Sequence, residues 1–199
     1  MRLVAVIALL LTTTACAPLW QSRPASNPDL LWQQRHQALV QLDQWQLHGR
    51  TVITQGKEGW NAGLRWQENR GEYQIKIEGP FSQGGITLDG NDDQAILTMA
   101  DGQKISAADP EVLIKAALGI QLPVSALRDW VRGIPYASLN INQLELDDEG
   151  QVTHLIQDGW DINFSKYVPF GIYTMPTKIF IKNQDLSLRL AVTRWKRIE

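Results

Sequence analysis

The chain has 199 residues, 44% of them hydrophobic, with 19 Lys and Arg against 21 Asp and Glu and one cysteine. A formal charge of -2 with no basic run gives no electrostatic case for nucleic acid as a partner, and a lone cysteine excludes an intrachain disulfide. Beyond the first sixteen residues no apolar stretch approaches the roughly twenty residues that a spanning helix needs.

The first residues have the three parts of a secretion signal: a positive start at Met1-Arg2, an apolar run over 3–11, and a small-residue end, Thr12-Thr13-Thr14-Ala15, before Cys16. Thr13-Thr14-Ala15-Cys16 resembles a bacterial lipobox, with Thr13 where leucine usually stands. The resemblance implies cleavage before Cys16 and acylation of its sulfur; the alternative is an uncleaved anchor or a free thiol. Ala17 follows, where bacterial sorting rules retain a lipoprotein in the inner membrane mainly when Asp is present, so the outer membrane is expected. The expected organisation is a signal peptide over 1–15, a lipid anchor and flexible tether over 16–28 that carries Pro18, Ser22, Pro24, Ser26 and Pro28, and one domain over 29–199.

Asp29 is a plausible helix cap. Leu30, Leu31, Leu39, Val40 and Leu42 share one face at helical spacing, which predicts a helix over about 29–43. Period-two alternation follows. Tyr73, Ile75 and Ile77 alternate with Gln74, Lys76 and Glu78, and Trp160, Ile162 and Phe164 with Asp161, Asn163 and Ser165. Similar strands are expected over 45–54, 59–67, 84–89, 94–99, 103–107, 139–146, 152–158, 177–182 and 186–195. Turn signals such as Asn69-Arg70-Gly71, Gly90-Asn91-Asp92-Asp93 and Asp147-Asp148-Glu149-Gly150 separate them.

One segment breaks the pattern. Asp109-Pro110 opens a helix with Val112, Leu113, Ala116, Ala117 and Leu118 on its apolar face and Gly119 at its end. Pro123-Val124-Ser125 opens a second with Leu127, Trp130 and Val131, closed by Gly133-Ile134-Pro135. The predicted fold is therefore mainly β (α+β): a single antiparallel, strongly curved, incomplete barrel of about eleven strands covered by helices.

The residues offer no catalytic constellation: no Gly-x-Ser-x-Gly elbow, no His-Glu-x-x-His pair and no Gly-rich phosphate loop. His36, His48 and His154 lie on separate elements, and a strand histidine such as His48 with no acidic or cysteine partner reads as structural. Asp147-Asp148-Glu149-Gly150 lacks the alternating ligands of a calcium loop and reads as a solvated turn. No catalytic, metal or cofactor site is expected. The eight tryptophans admit two readings. Trp45, Trp66, Trp130, Trp160 and Trp195 either fill the core or, in part, line an apolar cavity of the kind a helix-covered barrel can enclose.

Several blocks taken together resemble the LolB family of outer-membrane lipoprotein receptors across nearly the whole chain after Cys16. They are the run Leu42-Asp43-Gln44-Trp45-Gln46-Leu47-His48-Gly49-Arg50, then Leu64-Arg65-Trp66, then Tyr73-Gln74-Ile75-Lys76-Ile77-Glu78-Gly79-Pro80-Phe81. The most specific is Leu118-Gly119-Ile120-Gln121-Leu122-Pro123 with Leu127-Arg128-Asp129-Trp130-Val131-Arg132-Gly133-Ile134-Pro135. The resemblance implies a LolA/LolB-like half-barrel with an apolar cavity for acyl chains. It implies a protein that accepts acylated lipoprotein cargo from a LolA-like periplasmic carrier and releases it into outer-membrane lipid, without nucleotide or metal. On this reading Leu64, Trp66, Ile75, Ile77, Ile86 and Leu88 line the cavity from the strands, and Leu118, Leu127, Trp130 and Val131 from the helices. The family pattern has leucine and then glycine after the proline, where this chain has Phe81-Ser82 after Pro80. Turn chemistry calls for polar residues at such a connection. Phe81 either folds back to plug the barrel edge or, with Pro80, forms a tip that dips into the membrane. Two other functions remain open, a structural or assembly scaffold that holds a protein partner and, for want of a nucleophile far behind it, a lipid-modifying enzyme.

Overall fold

The computed structural model describes residues 27–79 and 85–198. It begins with α1 (Pro28–Val40), whose start is fixed by Asn27 and not by Asp29. The Asn27 side chain accepts hydrogen bonds from the backbone N–H of Asp29 and Leu30, at 3.1 and 3.2 Å, and Pro28 occupies the first turn, where its missing N–H costs nothing. The helix stops at Val40, short of the expected 43, and its apolar stripe is mostly unused: Leu39 alone within it is buried, while Leu30 and Val40 are exposed. Polar ties hold it instead. The Arg35 guanidinium donates to the side chain and carbonyl of Thr174 and lies 5.1 Å over the Tyr167 ring, and Arg132 donates to the carbonyls of Leu39 and Leu42 at 2.7 and 3.0 Å.

Six strands follow in a meander: β1 (Gln44–Gln55), β2 (Glu58–Asn69), β3 (Glu72–Glu78), β4 (Gly85–Gly90), β5 (Ala95–Thr98) and β6 (Lys104–Ala107). Helices α2 (Pro110–Leu118) and α3 (Val124–Trp130) interrupt, and a second meander completes the chain: β7 (Ile141–Leu146), β8 (Val152–Gln157), β9 (Trp160–Phe170), β10 (Tyr173–Lys182) and β11 (Leu186–Lys196). All eleven strands join one antiparallel sheet in the order β6-β5-β4-β3-β2-β1-β11-β10-β9-β8-β7, so the expected incomplete barrel is an open curved sheet. Its edges, β6 and β7, do not pair with each other among the described residues.

The alternation seen in sequence sets the inner face. Leu64 pairs with Ile77, Trp66 with Ile75, Ile75 with Leu88 and Leu88 with Leu97, so successive strands stack apolar side chains across the ladder. In β11 the inward phase runs through Leu186, Leu188, Leu190 and Val192. A bulge opposite His48 and Gly49 then adds one residue, Thr193, whose hydroxyl donates to the His48 carbonyl at 3.0 Å. One extra residue reverses the phase of everything after it. Trp195 thereby turns inward to meet Trp45, 5.4 Å between ring centroids. Gly49 allows this crossing, because a Cβ there would lie 2.4 Å from the Ala191 carbonyl oxygen. Gly49→Ala is expected to cost about 1–3 kcal/mol through the forced backbone shift and to lower the melting temperature by several degrees. A variant melting within a degree of wild type would show that the two strands separate freely.

The strands at 160–165 and 177–182 prove to be parts of longer ones. β9 and β10 run on as a hairpin to Gly171-Ile172, through pairs Thr174↔Pro169 and Pro176↔Tyr167. Proline argues against a central strand because it cannot donate to the ladder. Here the prolines lie where β9 has passed the end of its pairing with β8 and β10 has not yet begun pairing with β11, so neither needs an outward N–H.

Candidate functional site

The concave face of the sheet is roofed by α2 and α3. Asp109 caps α2, accepting from the Glu111 N–H at 2.8 Å, and Gly119 ends it in the left-handed region at φ 71°, its N–H donating to the Lys115 carbonyl. The buried side of α2 is Leu113 and Ile114, with Ala117 and Leu118 partly covered; Val112 and Ala116, expected on that face, point outward. Helix α3 buries Val124, Ala126, Leu127 and Trp130.

Under this roof lies an apolar hollow of about 50 Å³. The sheet lines it with Thr51, Ile53, Leu64, Trp66, Ile75, Ile77, Ile86, Leu88, Leu188 and Leu190, and the roof with Ile114, Leu122, Val124 and Leu127. It adjoins an open apolar mouth of about 670 Å³ between Trp60, Ala62, Ala117, Leu118 and Ile120; Ile53, Ile77 and Ile86 border both spaces. Gly79 and Gly85, which flank residues 80–84, stand on the rim of the mouth, and Trp60 is 45% exposed there. A larger groove of about 740 Å³ lies on the other side of α3. Asp43, Glu68, Asp92, Asp109, Glu111, Asp129 and Asp158 are among its walls, so its size does not make it a host for an apolar ligand.

Of the residues expected to line a cavity, Leu64, Trp66, Ile75, Ile77, Ile86, Leu88 and Leu127 meet at the hollow, and Leu118 sits at its mouth. Trp130 and Val131 do not reach it. Trp130 is fully buried on the other side of α3, 5.9 Å from the Trp160 ring, and Val131 is fully buried at the helix end. The tryptophans divide accordingly: Trp66 borders the hollow, Trp60 rims the mouth, and Trp45 and Trp130 are core. Cys16, Pro80 and Phe81 lie outside the described residues. Thr51, Ile53, Ile114, Leu122, Val124, Leu188 and Leu190 complete the lining without having been singled out from sequence. Their signal was present as period-two phase shared with Leu47, in Thr51 and Ile53, and with Leu186, in Leu188 and Leu190.

Polar contacts hold α3 more densely than α2. Arg128 makes a two-pronged pair with Glu68 of β2, Nε and Nη2 each 2.9 Å from a carboxylate oxygen, and Nη2 also donates to the Gly71 carbonyl at 3.2 Å. Its guanidinium lies 4.8 Å over Tyr73, and the Trp66 indole N–H donates to Glu68 at 3.0 Å. Burial pushes the Glu68 carboxyl above its ordinary range, against the pull of the Arg128 hydrogen bonds and charge. Burial likewise raises the Tyr73 hydroxyl to about 12. Farther along, the Gln157 side chain is wholly buried and uses its amide completely. Its oxygen accepts from the Trp130 indole at 2.8 Å and the Tyr136 N–H at 2.9 Å, and its nitrogen donates to the carbonyls of Tyr136 and Leu139 at 3.0 and 3.1 Å. Among the described residues α2 has one comparable tie, from the Ser125 N–H to the Glu111 carboxylate at 2.9 Å.

The open antiparallel sheet roofed by helices is a fold shared with solved structures. A LolA superfamily protein from Nitrosomonas europaea superposes with a TM-score of 0.53 over 89% of this chain and 95% of its own, at 8% identity, which establishes the shared fold. The family model for outer membrane lipoprotein LolB matches residues 43–195. The outer-membrane lipoprotein LolB of Nitrosococcus oceani is 35% identical over 98% of this chain and 97% of its own, and that of Pseudomonas syringae 33% over 98% and 96%. The chain belongs to the LolB family, outer-membrane lipoproteins that serve lipoprotein localisation and are not enzymes.

Proposed function

We propose that this protein is a receptor, tethered to the outer membrane through Cys16, that takes the acyl chains of lipoproteins from a LolA-like carrier into the apolar hollow and releases them into the membrane. The observation that carries the reading is that Ile53, Ile77 and Ile86 border both the hollow and the open mouth, with no charged side chain among the described residues that line the hollow. At about 50 Å³ the hollow is far below the roughly 300–1,000 Å³ of ordinary ligand sites, so acyl chains must lift part of the roof. The polar contacts of α3 make it the post; α2, with Ile114 and Leu118 facing hollow and mouth, is the door. The driving force is ample. Burial is worth about 0.8 kcal/mol per methylene, on the order of 10 kcal/mol for one long chain, which also makes release through open water slow and direct transfer from carrier to receptor the feasible route.

Gly79 and Gly85, on either side of residues 80–84, border the mouth, which suits Pro80 and Phe81 to delivery. Burying one Phe contributes roughly 1.5–3 kcal/mol, too little to anchor a protein but enough to orient one already tethered. An acylated lipoprotein is expected to bind one to one and its unacylated form not at all. Phe81→Glu should accept cargo from the carrier as wild type does yet fail to insert it into vesicles. Equal affinity for acylated and unacylated cargo would favour a protein-binding scaffold. Normal insertion by the variant would remove Phe81 from delivery, and a much lower melting temperature would assign it to plugging the barrel.

A further inference from the structure

Thr51 stands out in the lining of the hollow. It is 2% exposed, on β1 between Ala62 of β2 and Leu190 of β11, and its hydroxyl has no hydrogen-bond partner. Among the described residues it is the one buried polar side-chain atom without a partner that belongs to this lining. The neighbours around the hollow, from Ile53 and Leu64 to Leu127 and Leu188, are apolar. The lining offers a water one polar side chain to bond, fewer than the two to four partners that a buried water usually has. Buried hydroxyls in folded proteins are almost always paired, and one left unpaired in an apolar wall costs stability, which valine, its isostere, would not. A polar atom kept at such a place fits a ligand that is apolar except at one point and presents an acceptor there.

We propose that the Thr51 hydroxyl donates a hydrogen bond to the carbonyl oxygen that joins an acyl chain to its ester or amide linkage, so that the site distinguishes an acyl group from a plain hydrocarbon. The depth is suitable. Ile53, which borders both mouth and hollow, is two residues along β1 from Thr51, and residues two apart on a strand are about 6.6 Å apart on one face. The carbonyl would therefore rest just inside the mouth, with the methylenes continuing toward Leu64 and Trp66 and the polar remainder of the ligand outside. This inference rests on the acyl-binding reading of the hollow and adds to it the chemical group by which the ligand is held in register.

The test uses the full chain and two probes of equal length, an N-palmitoyl amino-acid amide and a straight-chain alkane, each competing with a polarity-sensitive dye. Thr51→Val should bind the alkane as wild type does, bind the palmitoyl amide about fivefold to tenfold more weakly, and melt about 2–4 °C higher because the unpaired hydroxyl is gone. Thr51→Ser, which keeps the hydroxyl, should restore preference for the amide. Undiminished binding of the amide by Thr51→Val would overturn the proposal, as would a lower melting temperature with equal loss of both probes, which would make the hydroxyl a structural group. Wild type that binds neither probe would overturn the acyl-binding reading itself, and the inference with it.

Discussion

Gln157→Leu is expected to destabilise the domain by at least about 3 kcal/mol, although leucine is close to glutamine in size and more apolar. The reason lies in the partners. The substitution leaves the Trp130 indole N–H, the Tyr136 N–H and the carbonyls of Tyr136 and Leu139 without the side chain that satisfies them, in a place where Gln157 has no solvent exposure. Each orphaned buried group costs about 1–3 kcal/mol, and local relaxation recovers part of the total. Urea denaturation measures it, and a variant within 1 kcal/mol of wild type would mean that the segment after α3 rearranges without penalty. A functional effect should accompany the loss, since Gln157 ties the end of α3 to β8 and so helps hold the roof in place over the hollow.

Arg128→Ala should cost about 3–5 kcal/mol at neutral pH, because it strands the Glu68 carboxylate, 5% exposed, without its counter-charge. The deficit should depend on pH in a definite direction. Burial already holds Glu68 above the ordinary carboxylate range, and losing Arg128 removes the main opposing influence, so its folded-state value rises further. Between the ordinary value and the raised one the folded protein binds a proton that the unfolded chain does not, so stability falls as pH rises through that window. The variant should be weakest above it and recover as pH drops toward the unfolded-state value, until general acid unfolding intervenes. Adding Glu68→Gln should restore much of the loss at neutral pH. A flat stability difference between pH 5 and 8, unchanged by the second substitution, would show that the carboxylate finds water or another partner.

How much of this was legible in the sequence follows from the range of the forces involved. Helix α2 was readable at both ends, because Asp109-Pro110 and Gly119 act within one turn. The strands that border the hollow were readable because period two is a local pattern. The β9–β10 extension was hidden by Pro169 and Pro176, whose tolerance depends on where neighbouring strands stop, a fact of the sheet and not of the segment. Trp130 illustrates the limit for the site. Its helical position was evident, but which side of α3 faces the hollow is decided by Gln157 and Trp160, both distant in sequence. Glu68, Arg128 and Gln157 looked like ordinary polar residues, and their importance comes from burial that only the assembled sheet creates. Thr51 fitted the inward phase of β1, but nothing local marked its hydroxyl as unpaired.

The position of the first and last strands has a consequence for how the molecule is built. β1 and β11 are hydrogen-bonded at the middle of the sheet, while both free edges, β6 and β7, come from the interior of the chain. The wing from β1 to β6 and the wing from β7 to β11 are each contiguous in sequence, so each can zip from short-range hairpins. Their seam joins residues about 150 positions apart, such as Gln46 and Lys196, and long-range pairings of this kind are slow to form. A chain appearing from its N-terminus can therefore complete one wing early but cannot join the halves until β11 is available. Losing the final ten residues would not trim an edge; it would unfasten the centre. Conversely, a circular permutant opened between α3 and β7, with β11 joined through a linker to the α1–β1 segment, would shorten the sequence separation across the seam and should fold faster than the natural order.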